Sequence, residues 1–423
     1  MRLGNISNIN GGFAFKSTKY VPNGVRVIRI SDFDELGIKN KNIVRYSFSK
    51  ELLPYELEKN NIILAMTGGT VGKSYLVEHL DEPMYVNQRV ATIKILNPLE
   101  IKYINTVILS DITQKIIKYS KNSTNDNISM DTIKGFLFPL PPISEQERIV
   151  GEIESIFKQA DEVKSNQAEL SKLKDGLKNK ILDLAIQGKL VEQDPNDEPA
   201  SVLLEKIRAE KQELIKQGKI KKDKQESYIF KGADNRHYEK IGLETKDITD
   251  EIPFEIPNSW QWARLGSVGI TQTGTTPATS HSEYFGKDIP FIKPADISNL
   301  SINYHNEGLS FEGIKYARLI KAKSILMVCI GGSIGKCYVN NCDVCCNQQI
   351  NTFTPILSDF LYFLYLMQSD YFYKTTIFNA TGTATPIINK SDWGNIIIPL
   401  PPLSEQLRIV EKLKNILKTM ELL

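Results

Sequence analysis

The chain has 423 residues, 41% of them apolar, 9% aromatic and 24% charged, with 52 basic against 50 acidic side chains and a formal net charge of +2. This composition excludes a disordered chain, and at about 150 residues per domain the length predicts two or three domains. No apolar stretch reaches the roughly 20 residues of a membrane helix, and residues 1–12 lack a signal-peptide pattern, so we expect a soluble, cytoplasmic protein.

Short strand-like segments and longer helical segments follow one another in both halves of the chain. The predicted strands are Val25 to Ile30, Asn61 to Met66 and Val90 to Leu96 in the first half, and Ile289 to Ile292, Ser324 to Ile330 and Ile350 to Ile356 in the second. Apolar residues recur every three or four positions in 101–119 and 359–374, which predicts helices there. Both halves are therefore predicted to be α+β.

An internal repeat organises the whole chain. Residues 139–150 read PLPPISEQERIV and residues 399–410 read PLPPLSEQLRIV, which agree at ten of twelve positions at an offset of 260. Nearly the same offset aligns further anchors: Arg2-Leu3-Gly4 with Arg264-Leu265-Gly266, Asp32 with Asp296, Gly68-Gly69 with Gly331-Gly332, Gly72-Lys73 with Gly335-Lys336, and Asn87-Gln88 with Asn347-Gln348. We predict two α/β domains of one fold whose surfaces have diverged.

A long helix is predicted to start after each Pro-Pro pair, since proline ends the preceding element while Ser144 and Ser404 are favourable N-caps. Apolar residues then alternate three and four apart, which is typical of coiled coils. We expect these residues to pair the two helices in an antiparallel coiled coil: Ile149, Ile153, Ile156, Ala160, Val163, Ile409, Leu413, Ile416 and Met420. By the repeat offset Leu423 corresponds to Val163, so the second helix is expected to be short or truncated.

These features divide the chain into five predicted parts, which are a first domain (1–142), a first helix (143–190), a connector (191–256), a second domain (257–402) and a second helix (403–423). The connector begins near the helix-breaking sequence DPNDEP at 194–199, and residues 206–224 hold eight basic against three acidic side chains. We interpret the connector as partly helical and solvated, with a contact to DNA or to a partner protein as the alternative.

Two motifs suggest ligands but depart from the required patterns. Thr67 to Ser74 approaches the phosphate-binding sequence GxxxxGK[ST], yet Thr67 replaces the first glycine and the repeat partner Ile330 to Cys337 departs at both ends. We predict a glycine turn between strands, with nucleotide binding as the alternative. The five cysteines all lie between Cys329 and Cys346 and are interpreted as small buried thiols, with zinc as the alternative. We predict no metal site and no catalytic residues.

Polar side chains at the repeat anchors are suited to base edges and phosphates. Arg and Lys favour guanine, Asn and Gln favour adenine, and hydroxyl groups position phosphates. The predicted DNA-binding residues are Lys16, Arg29, Asp32, Lys73, Gln88 and Arg89 in the first domain, and Thr275, Thr276, Lys293, Asp296, Lys336, Asn347, Gln348, Gln349 and Thr383 in the second.

Taken together, these motifs resemble the specificity subunit of type I restriction-modification systems. The doubled Leu-Pro-Pro-x-Ser-Glu-Gln motif carries this resemblance most strongly, and the Gly-Gly-x-x-Gly-Lys turns and Ala185-Ile-Gln-Gly-Lys-Leu190 are also similar to that family. The resemblance implies two target-recognition domains that each read one half of a bipartite, asymmetric DNA target, and paired helices that act as a spacer.

The resemblance further implies a chain that recognises DNA and does not catalyse. Two methyltransferase subunits would dock on the helices and bind S-adenosylmethionine, while restriction subunits would use ATP and Mg; no cofactor is expected in this chain, and no membrane partner. Two other classes stay open from the residues alone, which are a coiled-coil scaffold or architectural DNA-binding protein without sequence specificity, and a nucleotide-binding enzyme.

Overall fold

The computed structural model describes residues 1–96, 100–120, 126–221, 227–382 and 384–421. The chain forms two compact units, Met1–Gln167 and Ala168–Leu423. Helices and strands are mixed in both, and the predicted α+β class is confirmed. Within the described ranges no helix combines the length and the apolar character needed to cross a membrane.

The first domain is built on a four-stranded antiparallel sheet in the order β1-β9-β6-β7, beside a three-stranded sheet β5-β2-β8 and a small hairpin β3-β4. Its strands are β1 (Ser7–Gly11), β2 (Val25–Ile28), β3 (Phe33–Asp34), β4 (Gly37–Ile38), β5 (Val44–Tyr46), β6 (Ile62–Ala65), β7 (Ser74–Leu76), β8 (Met84–Val86) and β9 (Val90–Ile95). Its helices are α1 (Ile101–Leu109), α2 (Asp111–Tyr119) and α3 (Met130–Lys134).

The next elements lead from the first domain to the second. They are the helices α4 (Ile143–Ile186) and α5 (Ala200–Lys216) and the antiparallel strands β10 (Ser227–Lys231), β11 (His237–Ile241) and β12 (Glu244–Asp247). The predicted connector therefore holds a helix and, in addition, a three-stranded sheet that the sequence analysis does not predict.

The second domain repeats the architecture of the first, with a four-stranded sheet in the order β14-β21-β18-β19 and a second sheet in the order β16-β15-β20-β17. Its strands are β13 (Gln261–Arg264), β14 (Gly269–Thr273), β15 (Phe285–Ile292), β16 (Gly308–Leu309), β17 (Leu319–Ile320), β18 (Ile325–Val328), β19 (Cys337–Val339), β20 (Val344–Cys346), β21 (Ile350–Pro355) and β22 (Ile397–Leu400). Its helices are α6 (Phe311–Ile314), α7 (Phe360–Met367), α8 (Asp370–Phe378) and α9 (Lys390–Gly394), and α10 (Leu403–Glu421) follows.

The central strand of each main sheet is buried on both faces. In β6, Ile62 and Leu64 belong to the core beneath α1, whereas Ile63 and Ala65 belong to a second core on the opposite face. Successive side chains of a strand point to opposite faces, so a strand that is apolar at every position needs a cover on both sides. Strand β18 has the same arrangement in the second domain.

Each long helical segment of the sequence analysis is divided into two helices at a serine. Ser110 has an extended backbone and separates α1 from α2, and Ser369 does the same between α7 and α8. The Ser369 hydroxyl accepts a hydrogen bond from the Phe372 amide, which is the cap that a new helix needs at its start. The periodicity of the apolar residues continues through this break, which explains why it predicts a single helix.

The predicted pairing residues occupy several environments. Ile149 packs on the core of the first domain, and Ile409 and Leu413 are buried in the core of the second unit, which also includes the C-terminal end of α4. Ile156 is 61% exposed. The remaining seam positions are exposed at Ala160 and Val163 and half-buried at Ile153, Ile416 and Met420. Pairing between the two seams therefore stays a prediction.

A buried glutamine joins each domain to the helix that follows it. In the second motif the Gln406 amide nitrogen donates to the Pro401 carbonyl (3.0 Å), and its oxygen accepts from the Asp359 amide at the start of α7 (3.0 Å). In the first motif Gln146 donates to Pro141 (2.8 Å) and accepts from the Glu100 amide (3.3 Å). The glutamine shared by the two Ser-Glu-Gln motifs is therefore a structural residue.

The glutamate of the same motif differs between the two copies. Glu145 is exposed, whereas Glu405 is buried and accepts from the Trp260 indole (2.8 Å) and from Gln193 of the connector (2.5 Å). Burial raises the pKa of the Glu405 carboxyl above its ordinary value. These bonds fix the connector to the second helix.

A second set of polar contacts holds the same connector. The Asp197 carboxylate accepts from Arg408 (2.6 Å) and from the Ser404 hydroxyl (2.5 Å), and the bond from Arg408 lowers the pKa of Asp197. Further along, the Arg264 guanidinium contacts Glu239 of β11 (2.6 Å) and Glu251 (2.9 Å). The connector therefore folds as part of the second unit.

We expect Gln406→Ala to destabilise the second unit by roughly 3 kcal/mol, because it leaves a buried amide and a buried carbonyl without partners. Thermal or urea unfolding of the full chain measures this effect, and Lys412→Ala, at an exposed position of the same helix, is the matched control. A loss no larger than that of the control would contradict a structural role for the glutamine.

Candidate nucleic-acid interface

Three turns meet at one end of the main sheet of the first domain. They are the loop after β1, the Gly-Gly turn after β6 and the Asn-Gln turn between β8 and β9. The Gln88 amide donates to the Phe13 carbonyl (2.9 Å), which joins the Asn-Gln turn to the loop after β1. The Met66 amide donates to the Arg89 carbonyl (2.9 Å), which joins the Asn-Gln turn to the Gly-Gly turn. The backbone thus brings predicted DNA-binding residues from distant segments together.

The second domain repeats two backbone bonds of this arrangement. The Thr275 amide donates to the Cys346 carbonyl (2.9 Å), as Phe13 does to Val86 in the first domain (2.8 Å). The Cys329 amide donates to the Gln349 carbonyl (2.9 Å) at the position equivalent to the bond from Met66 to Arg89. The two domains therefore present their turns on one common backbone frame.

This frame requires glycine at two equivalent positions. A Cβ atom on Gly12 would lie 2.0 Å from the Val86 carbonyl oxygen, and one on Gly274 would lie 2.1 Å from the Asn347 carbonyl oxygen. Real Cβ atoms do not approach backbone oxygens so closely, so only glycine lets the loop after the first sheet strand cross the Asn-Gln turn.

The asparagine of each Asn-Gln turn shapes the turn itself. The Asn87 side chain accepts from the Arg89 amide (3.2 Å), and the Asn347 side chain accepts from the Gln349 amide (3.1 Å). Asn347 also donates to the Gln349 side chain (3.1 Å) and is buried. This predicted DNA-binding residue therefore faces its own domain.

The two predicted aspartates are also buried. Asp32 is 5% exposed, and its carboxylate accepts from the Arg29 amide (3.0 Å) and from the Arg29 guanidinium (2.8 and 3.0 Å). Asp296 is 6% exposed and accepts from the Lys293 amide (2.8 Å) and from the Asn306 side-chain amide. Each aspartate thus fixes the turn that carries the cationic residue three positions earlier, Arg29 or Lys293. The hydrogen bond to Asp32 also raises the pKa of Arg29.

Other predicted residues lie at the surface of these turns. Lys16, Gln88, Arg89, Lys336 and Gln348 are exposed, whereas Arg29, Lys73, Thr275, Thr276, Lys293 and Gln349 are half-buried. The Thr276 hydroxyl donates to the Gln348 side chain (2.6 Å), and Lys293 forms an ion pair with Glu307 (2.5 Å). Thr383 lies outside the described residues.

Aromatic rings support the loop after β1, and the sequence analysis misses them. Phe15 packs against Phe13 (ring centroids 5.1 Å apart), Tyr46 (5.0 Å) and the buried Tyr85 (6.0 Å). The second domain has Thr275 and Thr276 in the equivalent loop. The clustering of Phe13, Phe15 and Tyr20 along the sequence is the signal that could have indicated this packing.

The Gly-Gly turns do not have the geometry of a nucleotide-binding loop. Gly68 and Gly331 have φ values of 70° and 72°, which glycine adopts readily, and each starts a single 3-10 turn. A phosphate-binding loop leads into a helix, whereas Ser74 begins strand β7 and Cys337 begins strand β19. The turns lie between two paired strands, as the sequence analysis predicts.

Four of the five cysteines lie in the core of the second domain, whereas Cys342 is exposed, so the interpretation as buried thiols is wrong for Cys342. Burial raises the pKa of Cys329, Cys337 and Cys346 to about 12. In the part of the chain that the structure describes, no three His, Cys, Asp or Glu residues are grouped to hold a metal ion.

We expect Gly12→Ala to destabilise the first domain by about 3 kcal/mol, because its Cβ atom would overlap the Val86 carbonyl oxygen. Gly11→Ala is the matched control, since nothing lies within 4 Å of its Cβ position. Urea unfolding of both variants tests this, and equal effects of the two substitutions would contradict the close approach.

Comparison with known proteins identifies relatives of this chain. A family model described as "Type I restriction modification DNA specificity domain" matches residues 1–173 and 257–423. The EcoAI specificity subunit of Escherichia coli is 30% identical over 270 residues, which are 58% of this chain and 40% of that protein. The EcoBI specificity subunit of the same species is 22% identical over 423 residues, which are 98% of this chain and 78% of that protein. The chain thus spans about two fifths of the length of the EcoAI subunit and 78% of the length of the EcoBI subunit.

Solved structures show the same fold. The HsdS subunit from Thermoanaerobacter tengcongensis matches with a TM-score of 0.56 at 18% identity, covering 100% of this chain and 89% of that one. A chain from a study of complex assembly and conformational transition of the type I R-M system matches with a TM-score of 0.59 at 19% identity, covering 100% and 90%. The resemblance found in the sequence is confirmed, and the chain belongs to the family of type I restriction-modification specificity subunits.

Proposed function

We propose that this chain is the DNA sequence-specificity subunit of a type I restriction-modification complex, in which each domain reads one half of a bipartite, asymmetric target in the major groove. The observation that supports this most directly is that two equivalent sets of turns share one backbone frame and carry different side chains. The differing pairs are Phe13 and Thr275, Arg29 and Lys293, and Arg89 and Gln349. A constant frame with variable side chains is what two readers of different sequences need.

The exposed side chains of the turns divide by the chemistry that they offer to DNA. Arg89 and Lys16 suit guanine edges or phosphates, while Gln88 and Gln348 suit the paired donor and acceptor of adenine. Lys73 and Lys336 follow the Gly-Gly turns and suit phosphates. In this proposal the buried Asp32, Asp296 and Asn347 position these turns instead of contacting bases.

In the proposed complex this chain recognises DNA and its partners catalyse. Two methyltransferase subunits dock on α4 and α10 and use S-adenosylmethionine, and restriction subunits use ATP and Mg. Apolar side chains that remain exposed along α4, such as Phe157 and Leu173, support a docking role for this helix.

Exchange of residues 1–142 for the corresponding domain of a related subunit tests this function. We expect one half of the methylated sequence to change and the other half to stay, because each domain has its own set of turns. Methylome sequencing of a strain that carries the chain and its methyltransferase subunit is the measurement, and a strain without the gene is the control. A simultaneous change of both halves would contradict independent reading.

A single substitution tests the reading surface. We expect Gln348→Ala to reduce discrimination at one base pair by about 1 to 3 kcal/mol, as the loss of a bidentate base contact does. Gln212→Ala, at an exposed position of α5, is the matched control and should change nothing. Binding to duplexes that differ at single positions measures the effect, and a uniform loss over all duplexes would contradict base reading by Gln348.

A further inference from the structure

The hairpins β3-β4 and 297–302 occupy equivalent places in the two domains. Asp32 begins the first hairpin and its carbonyl accepts from the Lys39 amide (2.7 Å), and Asp296 begins the second and accepts from Asn303 (2.9 Å). In the second hairpin a single antiparallel bridge joins residues 297 and 302. Both hairpins are closed by a backbone bond to the aspartate carbonyl from the residue seven positions later, so Leu36 and Leu300 lie at equivalent positions of their turns.

Within these hairpins, 32–39 and 296–303, the two sequences agree at three positions only. The first is the aspartate, which is buried and fixes the preceding turn. The second is Ile38 and its counterpart Ile302, which pack on the core of their domains. Both identities therefore have a reason inside the domain.

The third identity has no such reason. Leu36 is 94% exposed and Leu300 is 73% exposed, so neither contributes appreciably to the core of its domain. Each leucine is held in place by its turn, because the Leu36 amide donates to the Asp34 carboxylate (3.0 Å) and the Leu300 amide donates to the Ser298 hydroxyl (3.2 Å). An exposed apolar side chain on a fixed turn is suited to fill a pocket of a partner, since little conformational freedom is lost on binding.

Charge and chemistry indicate what kind of partner this is. Residues 34–37 and 298–301 hold no basic side chain, and Lys39 at the base of the first hairpin forms an ion pair with Asp34 (2.8 Å), whereas contacts to DNA phosphates rely on Lys and Arg. The two half-sites of an asymmetric target differ, so a side chain that is identical in both domains is not expected to read bases. A protein subunit that is present in two copies would make the same contact with both domains.

The position of the second hairpin agrees with such a partner. Asn299, next to Leu300, accepts from the Cys337 amide (3.1 Å) and lines one shallow cavity together with Asn179 of α4. The tip therefore lies beside the long helix, which is the proposed docking helix of the methyltransferase.

We propose that Leu36 and Leu300 are equivalent apolar anchors for two copies of one partner protein, the methyltransferase subunit. This inference rests on the proposed function, and it adds a contact on each recognition domain to the docking on the helices. Each leucine is expected to enter an apolar pocket of the methyltransferase subunit, and the same pocket serves both sites.

Titration of the full chain with the methyltransferase subunit, followed by native mass spectrometry, tests the proposal. Leu36→Ala and Leu300→Ala should each weaken one of two binding sites by about 30-fold, and the double variant should weaken both, as loss of a buried leucine contact does. Leu243→Ala is the matched control, since Leu243 is 100% exposed in the turn between β11 and β12. DNA binding and thermal unfolding of the variants should match those of the wild type.

The possible outcomes separate the two proposals. If the wild-type chain binds two methyltransferase subunits and both single variants do so with unchanged affinity, the anchor proposal is overturned and the proposed function stands. Weakened DNA binding with unchanged docking would also overturn it and would indicate that the tips touch DNA. If the wild-type chain binds no methyltransferase subunit, both proposals fail together.

Discussion

A buried glutamine amide ties each recognition domain to the helix that leaves it, and the rest of the structure depends on this tie. Gln146 and Gln406 each donate to the carbonyl of the proline that lies before their own helix. Each also accepts from a backbone amide just before another helix, Glu100 before α1 and Asp359 before α7. Nearby, Tyr103 and Tyr362 donate to the carbonyls of Pro139 and Pro399, both at 2.8 Å. Proline fixes its own φ, and the side-chain bonds to these carbonyls further restrict the junction.

The end of each domain at which the turns meet depends on a different constraint, which is the close approach of two backbone segments. Gly12 and Gly274 let one loop cross another at a distance that no side chain would permit. Backbone bonds and the Asn and Asp side chains that face the domain then fix this frame, so the exposed side chains of the turns can differ. This freedom allows aromatic rings to fill the loop of one domain and threonines that of the other without change in the backbone path.

Much of the architecture could be predicted from the sequence, because the repeat of 139–150 at 399–410, with ten of twelve identical residues, indicates two copies of one fold. The β10-β12 sheet was missed, although Asp234-Asn235 and Gly242 mark turns between its strands, because the basic composition of the connector suggested a solvated segment. The breaks at Ser110 and Ser369 were missed because apolar periodicity reports a buried face and not the continuity of a helix axis.

The candidate site was predictable in part. The motifs identify the segments whose turns meet, but residue type alone does not separate an exposed Gln348 from a buried Asn347, or an exposed lysine from a buried aspartate. Those differences arise within each turn, where the buried side chain accepts from a backbone amide two or three positions away. The exposed Leu36 and Leu300 could have been found by asking which repeat identities lack a place in the core.

The attachment of the connector to the second unit makes the two domains unequal as units of genetic exchange. The first domain ends at its Pro-Pro junction, so recombination there can transfer a complete reader. The second domain is held by connector residues that precede it in the chain. Gln193 and Asp197 bond to side chains of α10, and Glu239 forms an ion pair with Arg264. A gene segment that brings a new second specificity is therefore expected to start near residue 191, and crossovers between the connector and its domain are expected to be selected against.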